Sequence, residues 1–98
     1  MSKEVLSVAV FEPLPGQEEA CLATVRELIT ILTSKGYSRD SLYRDAKDPS
    51  RYIAVRVWKS EEARREAQED AGAQRCWARM AHQMTIIRVY ESLEEIKI

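Results

Sequence analysis

The spacing of apolar residues changes along the chain, and this change restricts the fold more than any other feature of the sequence. Residues 4–11 and 51–59 alternate apolar and other side chains with the period of two that is typical of β-strands. Residues 17–35 instead place apolar side chains three and four positions apart, which is typical of an amphipathic helix. Weaker alternation in residues 41–47 and 83–91 brings the number of predicted strands to four.

The predicted helices begin and end at residues with suitable capping chemistry. Gly36 follows the first helix as a left-handed cap, and Ser60 is a good N-cap for a second helix. We expect Gly72 to kink or end the first part of that second helix, with residues 73–82 as its second part. The resulting order β-α-β-β-α-β is the ferredoxin-like α+β pattern, in which both helices pack on one face of a four-stranded antiparallel sheet.

Length and charge exclude several classes of function. A chain of 98 residues has room for one core, so we expect a single domain over residues 1–98. The net charge of −1 argues against a nucleic-acid binder, which needs a basic excess. Apolar runs are far shorter than the roughly 20 residues that cross a bilayer, and no signal peptide is expected. Two cysteines suit the reducing cytoplasm, and with one histidine they do not supply a zinc site.

The alternation divides the predicted sheet into two faces of different composition. The aliphatic face, which we expect to pack against the helices, consists of Leu6, Val8, Val10, Ile53, Val55, Val57, Ile87 and Val89. The aromatic face consists of Ser7, Phe11, Tyr52, Ala54, Arg56, Trp58, Met84, Ile86, Arg88 and Tyr90. A face with so many large apolar side chains is unsuited to water. We therefore predict a homodimer in which two aromatic faces meet and enclose a cavity.

Three short motifs follow one another in an order that is typical of one known family. The letters PGQEE at residues 15–19 come after the first predicted strand. The letters LYRD at 42–45, then Pro49, and finally WKSEEA at 58–63 follow at suitable spacing. Over nearly its whole length, the chain resembles the antibiotic biosynthesis monooxygenase (ABM) family.

The resemblance implies a dimeric α+β barrel, a pocket between each sheet and its own helices, and small aromatic or lipophilic substrates. Some members are oxygenases that need no cofactor, and others degrade haem. Two departures matter: Ala67 and Gln68 stand where many members have a histidine, and the chain has no asparagine, whereas the haem-degrading branch has one on its first strand. Haem degradation is therefore disfavoured. A cofactor-independent monooxygenase is the first reading, and a non-catalytic dimer that binds a ligand or senses a metabolite is the alternative.

Two arginines and one histidine are the candidate catalytic residues. Arg56 and Arg88 lie mid-strand on the aromatic face, where an isolated buried charge costs several kcal/mol. They form ion pairs between subunits, or they bind a carboxylate, enolate or phosphate of a ligand through the planar guanidinium. His82 caps the second helix or acts as a general base. Arg64 is expected on the solvated face of its helix.

Five aromatic residues are the candidate substrate-binding residues. Tyr43, Tyr52 and Tyr90 offer hydroxyl groups that could orient a phenol or a quinone. Trp58 and Trp77 offer flat walls for the same ligand. The alternative for each of the five is packing in the core or at the subunit interface.

Overall fold

The computed structural model describes residues 3–98 and consists of four strands and three helices in the order β-α-β-β-α-α-β. The strands are β1 (Val5–Pro13), β2 (Ser38–Arg44), β3 (Tyr52–Trp58) and β4 (Met84–Leu93), and the helices are α1 (Glu18–Ser34), α2 (Glu61–Gln68) and α3 (Ala71–Met80). The strands pair antiparallel in the spatial order β2-β3-β1-β4. The predicted ferredoxin-like α+β fold is confirmed. None of the helices within residues 3–98 combines the length and apolar character that crossing a membrane requires.

Helix α1 forms the centre of the core because one stripe of its surface is apolar. Its buried apolar side chains recur every three or four residues, at Cys21, Val25, Leu28 and Leu32. Gly36 follows the helix with a φ of 73°, a conformation that residues with a side chain rarely adopt. The first predicted helix is therefore confirmed to within one residue at each end.

The second helical region breaks at Asp70 and not at Gly72. Helix α2 ends at Gln68, and the carboxylate of Asp70 accepts a hydrogen bond from the backbone N–H of Ala73 at 3.0 Å. Aspartate is a strong N-cap, so α3 begins directly after it and Gly72 lies within its first turn. Asp70 also pairs with Lys35 at the end of α1, and this contact lowers the pKa of the carboxyl group. One carboxylate therefore joins α3 to α1.

The two faces of the sheet are reversed relative to the prediction. Phe11 and Tyr52 stack with their ring centroids 5.6 Å apart, and they are 2% and 3% exposed because they pack against α1. Trp58 is buried against the helices in the same way. The prediction that a second copy covers the aromatic face is wrong. Alternation determines which residues share a face, but here both faces are apolar, and the larger aromatic side chains fill the space beneath the helices.

The aliphatic face of β1 and β3 points away from the helices. Its residues lie directly opposite each other in the ladder as Leu6 and Val57, Val8 and Val55, and Val10 and Ile53. All six are only half-buried in the single chain. An apolar surface of this kind normally has a partner.

A β-bulge interrupts the alternation in β4. The ladder pairs Val10 with Arg88 but Phe11 with Ile86, so Ile87 is an extra residue on β4. Beyond this point the residues of β4 have changed faces relative to an uninterrupted strand.

The bulge separates two arginines that the sequence placed together. Val89 now lies on the helix side of the sheet, whereas Arg88 and Tyr90 lie on the aliphatic side. There Arg88 donates a hydrogen bond to the Tyr90 hydroxyl at 3.0 Å and lies 5.8 Å from the centre of its ring. The prediction that Arg88 shares a face with Arg56 is wrong, because it carried the period of two through the bulge.

Replacing Leu32 tests the position of the core. Leu32→Ala should lower the free energy of unfolding by about 3 kcal/mol, because the 0% exposed side chain leaves a cavity between α1 and α3. The control, Ile96→Ala, changes a side chain that is 75% exposed and should cost less than about 0.5 kcal/mol. Urea unfolding followed by tryptophan fluorescence measures both, and similar losses would contradict this packing.

Candidate functional site

A cavity of about 280 Å³ lies between the helix side of the sheet and the helices. Most of its wall is apolar and includes Phe11, Val25, Leu28, Trp58, Trp77, Met80, Met84, Ile86 and Val89. Its polar lining residues are Ser7, Arg56, Arg64, Gln68 and Glu91. An apolar cavity with a few polar groups is the usual form of a small-molecule binding site.

Arg56 has the most buried side chain among the charged residues of the cavity wall, and it is one of the residues that the sequence analysis selected. It lies directly opposite Asp40 in the β2–β3 ladder, and its Nε donates to the Asp40 carboxylate at 2.6 Å. The side chains are 15% and 2% exposed, and Asp40 also accepts a hydrogen bond from the Ser38 hydroxyl at 2.7 Å. The ion pair therefore forms within one chain and not between subunits. Sequence reasoning missed Asp40 because strand β2 begins three residues earlier than predicted.

Trp58 is fixed in the cavity wall by a short series of hydrogen bonds. Its indole Nε1 donates to the Ser7 hydroxyl at 2.9 Å, and that hydroxyl donates to the backbone carbonyl of Glu91 at 2.6 Å. The guanidinium of Arg56 lies over the Trp58 ring, 5.3 Å from its centre. Three strands thus determine the orientation of one indole, and the indole supports the arginine.

Arg64 joins helix α2 to strand β4 beside the cavity. Its Nη1 lies 2.9 Å from a Glu61 oxygen and its Nη2 lies 3.6 Å from a Glu91 oxygen. The side chain is only 18% exposed, so the expectation of a solvated face is wrong. The sequence did contain a signal for the place of Arg64 in the cavity wall. Arg64 and Gln68 lie four positions apart and therefore on one side of α2, and both line the cavity.

The structure brings three of the eight predicted site residues together: Arg56, Trp58 and Trp77. Tyr52 lies in the core beside Phe11, where its hydroxyl accepts a hydrogen bond from Arg44 at 3.0 Å. Its role here is packing, which the sequence had left open.

The other four predicted residues lie away from the cavity. Tyr43, Arg88 and Tyr90 are on the aliphatic side of the sheet, where Tyr43 is 57% exposed. His82 is exposed in the turn between α3 and β4. A catalytic role for Arg88 or His82 therefore stays a prediction without a contact to the cavity.

The two thiols are unsuited to act as nucleophiles. Burial raises the pKa of both Cys21 and Cys76, so both stay protonated at neutral pH. Within residues 3–98, His, Cys, Asp and Glu side chains do not gather in a group of three or more that could bind a metal ion. The polar groups that line the cavity are two guanidinium groups, one carboxylate, one amide and one hydroxyl.

The sequence profile described as Antibiotic biosynthesis monooxygenase matches residues 5–79, from β1 almost to the end of α3. The chain belongs to the ABM family. No protein with a curated description matches this ABM chain in sequence.

Several proteins with solved structures have the same fold as this ABM protein. A protein of the same type from Chloroflexus aurantiacus has a TM-score of 0.79 at 18% identity, covering 98% of this chain and 97% of that one. The cofactor-independent oxygenase SnoaB from Streptomyces nogalater has a TM-score of 0.78 at 18% identity, with 97% and 98% covered. Rv0793 from Mycobacterium tuberculosis has a TM-score of 0.77 at 19% identity, with 97% and 100% covered. At these identities the similarity concerns the fold.

Replacing Ser7 tests the hydrogen bonds that orient Trp58. Ser7→Ala should lower the free energy of unfolding by about 1–2 kcal/mol, because the indole N–H of the buried Trp58 loses its acceptor. The control, Ser41→Ala, removes an exposed hydroxyl from the opposite side of the sheet and should change stability by less than about 0.5 kcal/mol. Urea unfolding measures both variants, and an unchanged Ser7→Ala midpoint would contradict this role.

Proposed function

We propose that this ABM protein binds a small, flat, aromatic molecule in its cavity and oxygenates it with molecular oxygen and no cofactor. The observation that supports this most is the combination of an apolar cavity with the tryptophans Trp58 and Trp77 and the guanidinium of Arg56. The volume of about 280 Å³ lies just below the roughly 300–1,000 Å³ that small-molecule sites occupy, so the ligand is small. Family membership and the fold shared with SnoaB agree with this proposal.

An anthrone illustrates the reaction that we propose. Removal of a proton from its CH₂ group gives an enolate, which donates electrons to oxygen. The CH₂ group becomes a carbonyl, one oxygen atom enters the product, and the other leaves as water, so anthrone and O₂ give anthraquinone and H₂O. The substrate supplies all four electrons, and the protein needs no redox group.

The residues of the cavity would act by orientation and by electrostatics. The apolar walls exclude water and hold the rings, and the Arg56 guanidinium stabilises negative charge as it develops on the enolate oxygen. Glu91 is the one carboxylate among the lining residues of the described chain, so we assign the proton acceptor to it. His82 would first have to move from its exposed turn to serve as the base.

A second candidate function is binding without catalysis. The ABM family histidine has no counterpart here, since Ala67 and Gln68 stand at its positions, and the acceptor Glu91 is 76% exposed in its side chain. Water therefore competes with the substrate for this carboxylate. A module that senses or stores an aromatic metabolite would use the same cavity.

We further propose that two copies associate through the aliphatic face of the sheet. Leu6, Val8, Val10, Ile53, Val55 and Val57 form a continuous half-buried surface across the two central strands. An apolar sheet face without a cover is unfavourable in water, and an identical face from a second copy matches it in shape and polarity. The partner is thus expected at the aliphatic face, and the helices already cover the aromatic one.

Replacing Val55 tests this interface. The protein should sediment as a dimer at micromolar concentration, and Val55→Asp should shift it to the monomer, because a carboxylate would be desolvated at the centre of the aliphatic face. Thr30→Asp, which adds the same charge on the exposed side of α1, should remain a dimer. A monomeric parent protein in equilibrium sedimentation would contradict the proposal.

Turnover of anthrone tests the proposed reaction. Protein freed of metal ions and flavin should consume oxygen and form anthraquinone faster than buffer alone. Ala54→Phe should lower kcat/KM at least about 10-fold because the ring occupies the cavity, whereas Ala20→Phe on the exposed side of α1 should leave it unchanged. Binding of anthrone without turnover would instead support the non-catalytic module, and absence of both would contradict the site.

A further inference from the structure

We infer that Arg56 binds an oxyanion of the ligand, and that Asp40 and Trp58 position the guanidinium for it. The inference rests on the proposed function for the flat, apolar body of the ligand. It extends the stabilisation of the developing enolate charge, already proposed for Arg56, to a carboxylate or an enolate-type oxygen that the ligand carries at the Arg56 end of the cavity when it binds. It also makes Asp40, which the sequence did not single out, a positioning residue of the site.

The first observation concerns the hydrogen bonds that Arg56 leaves unused. A guanidinium has five N–H donors, and within residues 3–98 Arg56 donates only through Nε, to Asp40 at 2.6 Å. Its side chain is 15% exposed, so little bulk water is available for the two terminal nitrogens. These two nitrogens are not fully buried. Within residues 3–98, the one fully buried side-chain N or O atom that lacks a hydrogen-bond partner is Oε1 of Gln83, so the unpaired nitrogens of Arg56 must be accessible. Arg56 thus keeps its forked end available toward the cavity that it lines.

Arg64 differs from Arg56 in this respect. Both terminal nitrogens of Arg64 face carboxylates, one on Glu61 at 2.9 Å and one on Glu91 at 3.6 Å. The guanidinium of Arg64 is therefore already neutralised at its forked end. Of the two cavity arginines, Arg56 is the one that can bind a planar anion with two parallel hydrogen bonds.

The placement of Asp40 determines the polarity of the ion pair. Asp40 does not line the cavity and is 2% exposed, whereas Arg56 does line it. The pair is neutral as a whole, but its positive member lines the cavity and its negative member does not. The Trp58 ring lies 5.3 Å from the guanidinium and is itself held by Ser7, so the fork has a fixed direction before any ligand arrives.

Two probes with the same ring system test the inference directly. Anthraquinone carboxylate and the corresponding carboxamide differ in charge and hardly in shape. Quenching of tryptophan fluorescence at neutral pH should show that the parent protein binds the carboxylate at least about 10-fold more tightly. Arg56→Met should abolish this preference, and Arg56→Lys should keep part of it. Arg39→Met should keep all of it, because Arg39 pairs with Glu4 at 2.6 Å, away from this cavity.

A double variant keeps the test valid if Arg56→Met alone does not fold. Arg56→Met alone leaves the buried Asp40 charge without its partner, which is strongly destabilising. Asp40→Asn combined with Arg56→Met removes both charges, and the side chain at position 40 can still accept from the Ser38 hydroxyl. We expect this double variant to fold and to bind acid and amide equally.

A coloured probe distinguishes the two sources of the oxyanion. Alizarin, a dihydroxyanthraquinone, changes its visible absorption when a phenol ionises. If Arg56 binds an enolate-type oxygen, the parent protein should lower the pKa of bound alizarin by about one unit and the double variant should not. If Arg56 binds a carboxylate alone, the acid–amide preference should appear without a shift in alizarin.

The outcomes separate the inference from the proposed function. Equal binding of acid and amide by the parent protein, together with an unshifted alizarin pKa, would overturn the oxyanion site and leave the apolar cavity intact as a binding site. Failure of the parent protein to bind any of the three ring compounds would overturn the proposed function and the inference together.

Discussion

Phe11 and Tyr52 stack across β1 and β3 beneath α1, and this contact decides which side of the sheet the helices cover. Once the rings occupy that space, the valines and isoleucines of the same strands must lie on the other side. The large side chains do not fill the layer completely, and the remaining volume is the cavity beside Trp58 and Trp77. The cavity and the half-buried aliphatic face therefore have one common origin.

The electrostatics of the cavity depend on charges that come from different strands and helices. Asp40 of β2 holds Arg56 of β3, and Glu91 of β4 contacts Arg64 of α2. A buried ion pair contributes little net stability, because desolvation offsets most of the attraction between the charges. Its value lies in direction, since the guanidinium cannot turn away from the cavity without leaving a buried carboxylate unpaired. Preorganised charge of this kind is what stabilises an anion in an apolar site.

Much of the fold could be predicted from the sequence, and much less of the site. Helix α1 was predictable because its capping glycine and its apolar stripe agree, and the family motifs lie in their expected places. Which face of the sheet the helices cover was not predictable. Both sets of side chains are apolar, and alternation carries no information about which set contacts the helices. The bulge at Ile87 has no signal in composition, so Arg88 was placed beside Arg56 although the two lie on opposite sides. Asp40 and Arg56 are brought together by the register of β2 and β3. Because the predicted β2 began three residues too late, it did not include Asp40, and the pair was not predicted.

Strand β4 forms one edge of the sheet, and its ladder with β1 is irregular at two places. Edge strands that are long and flat recruit strands from other molecules, which leads to fibrils. A bulge bends and twists such a strand, so the row of free backbone groups no longer matches a straight neighbour. The irregular β4 is thus a poor template for side-by-side growth of sheets, whereas the face-to-face pairing that we propose for the aliphatic face closes after two copies.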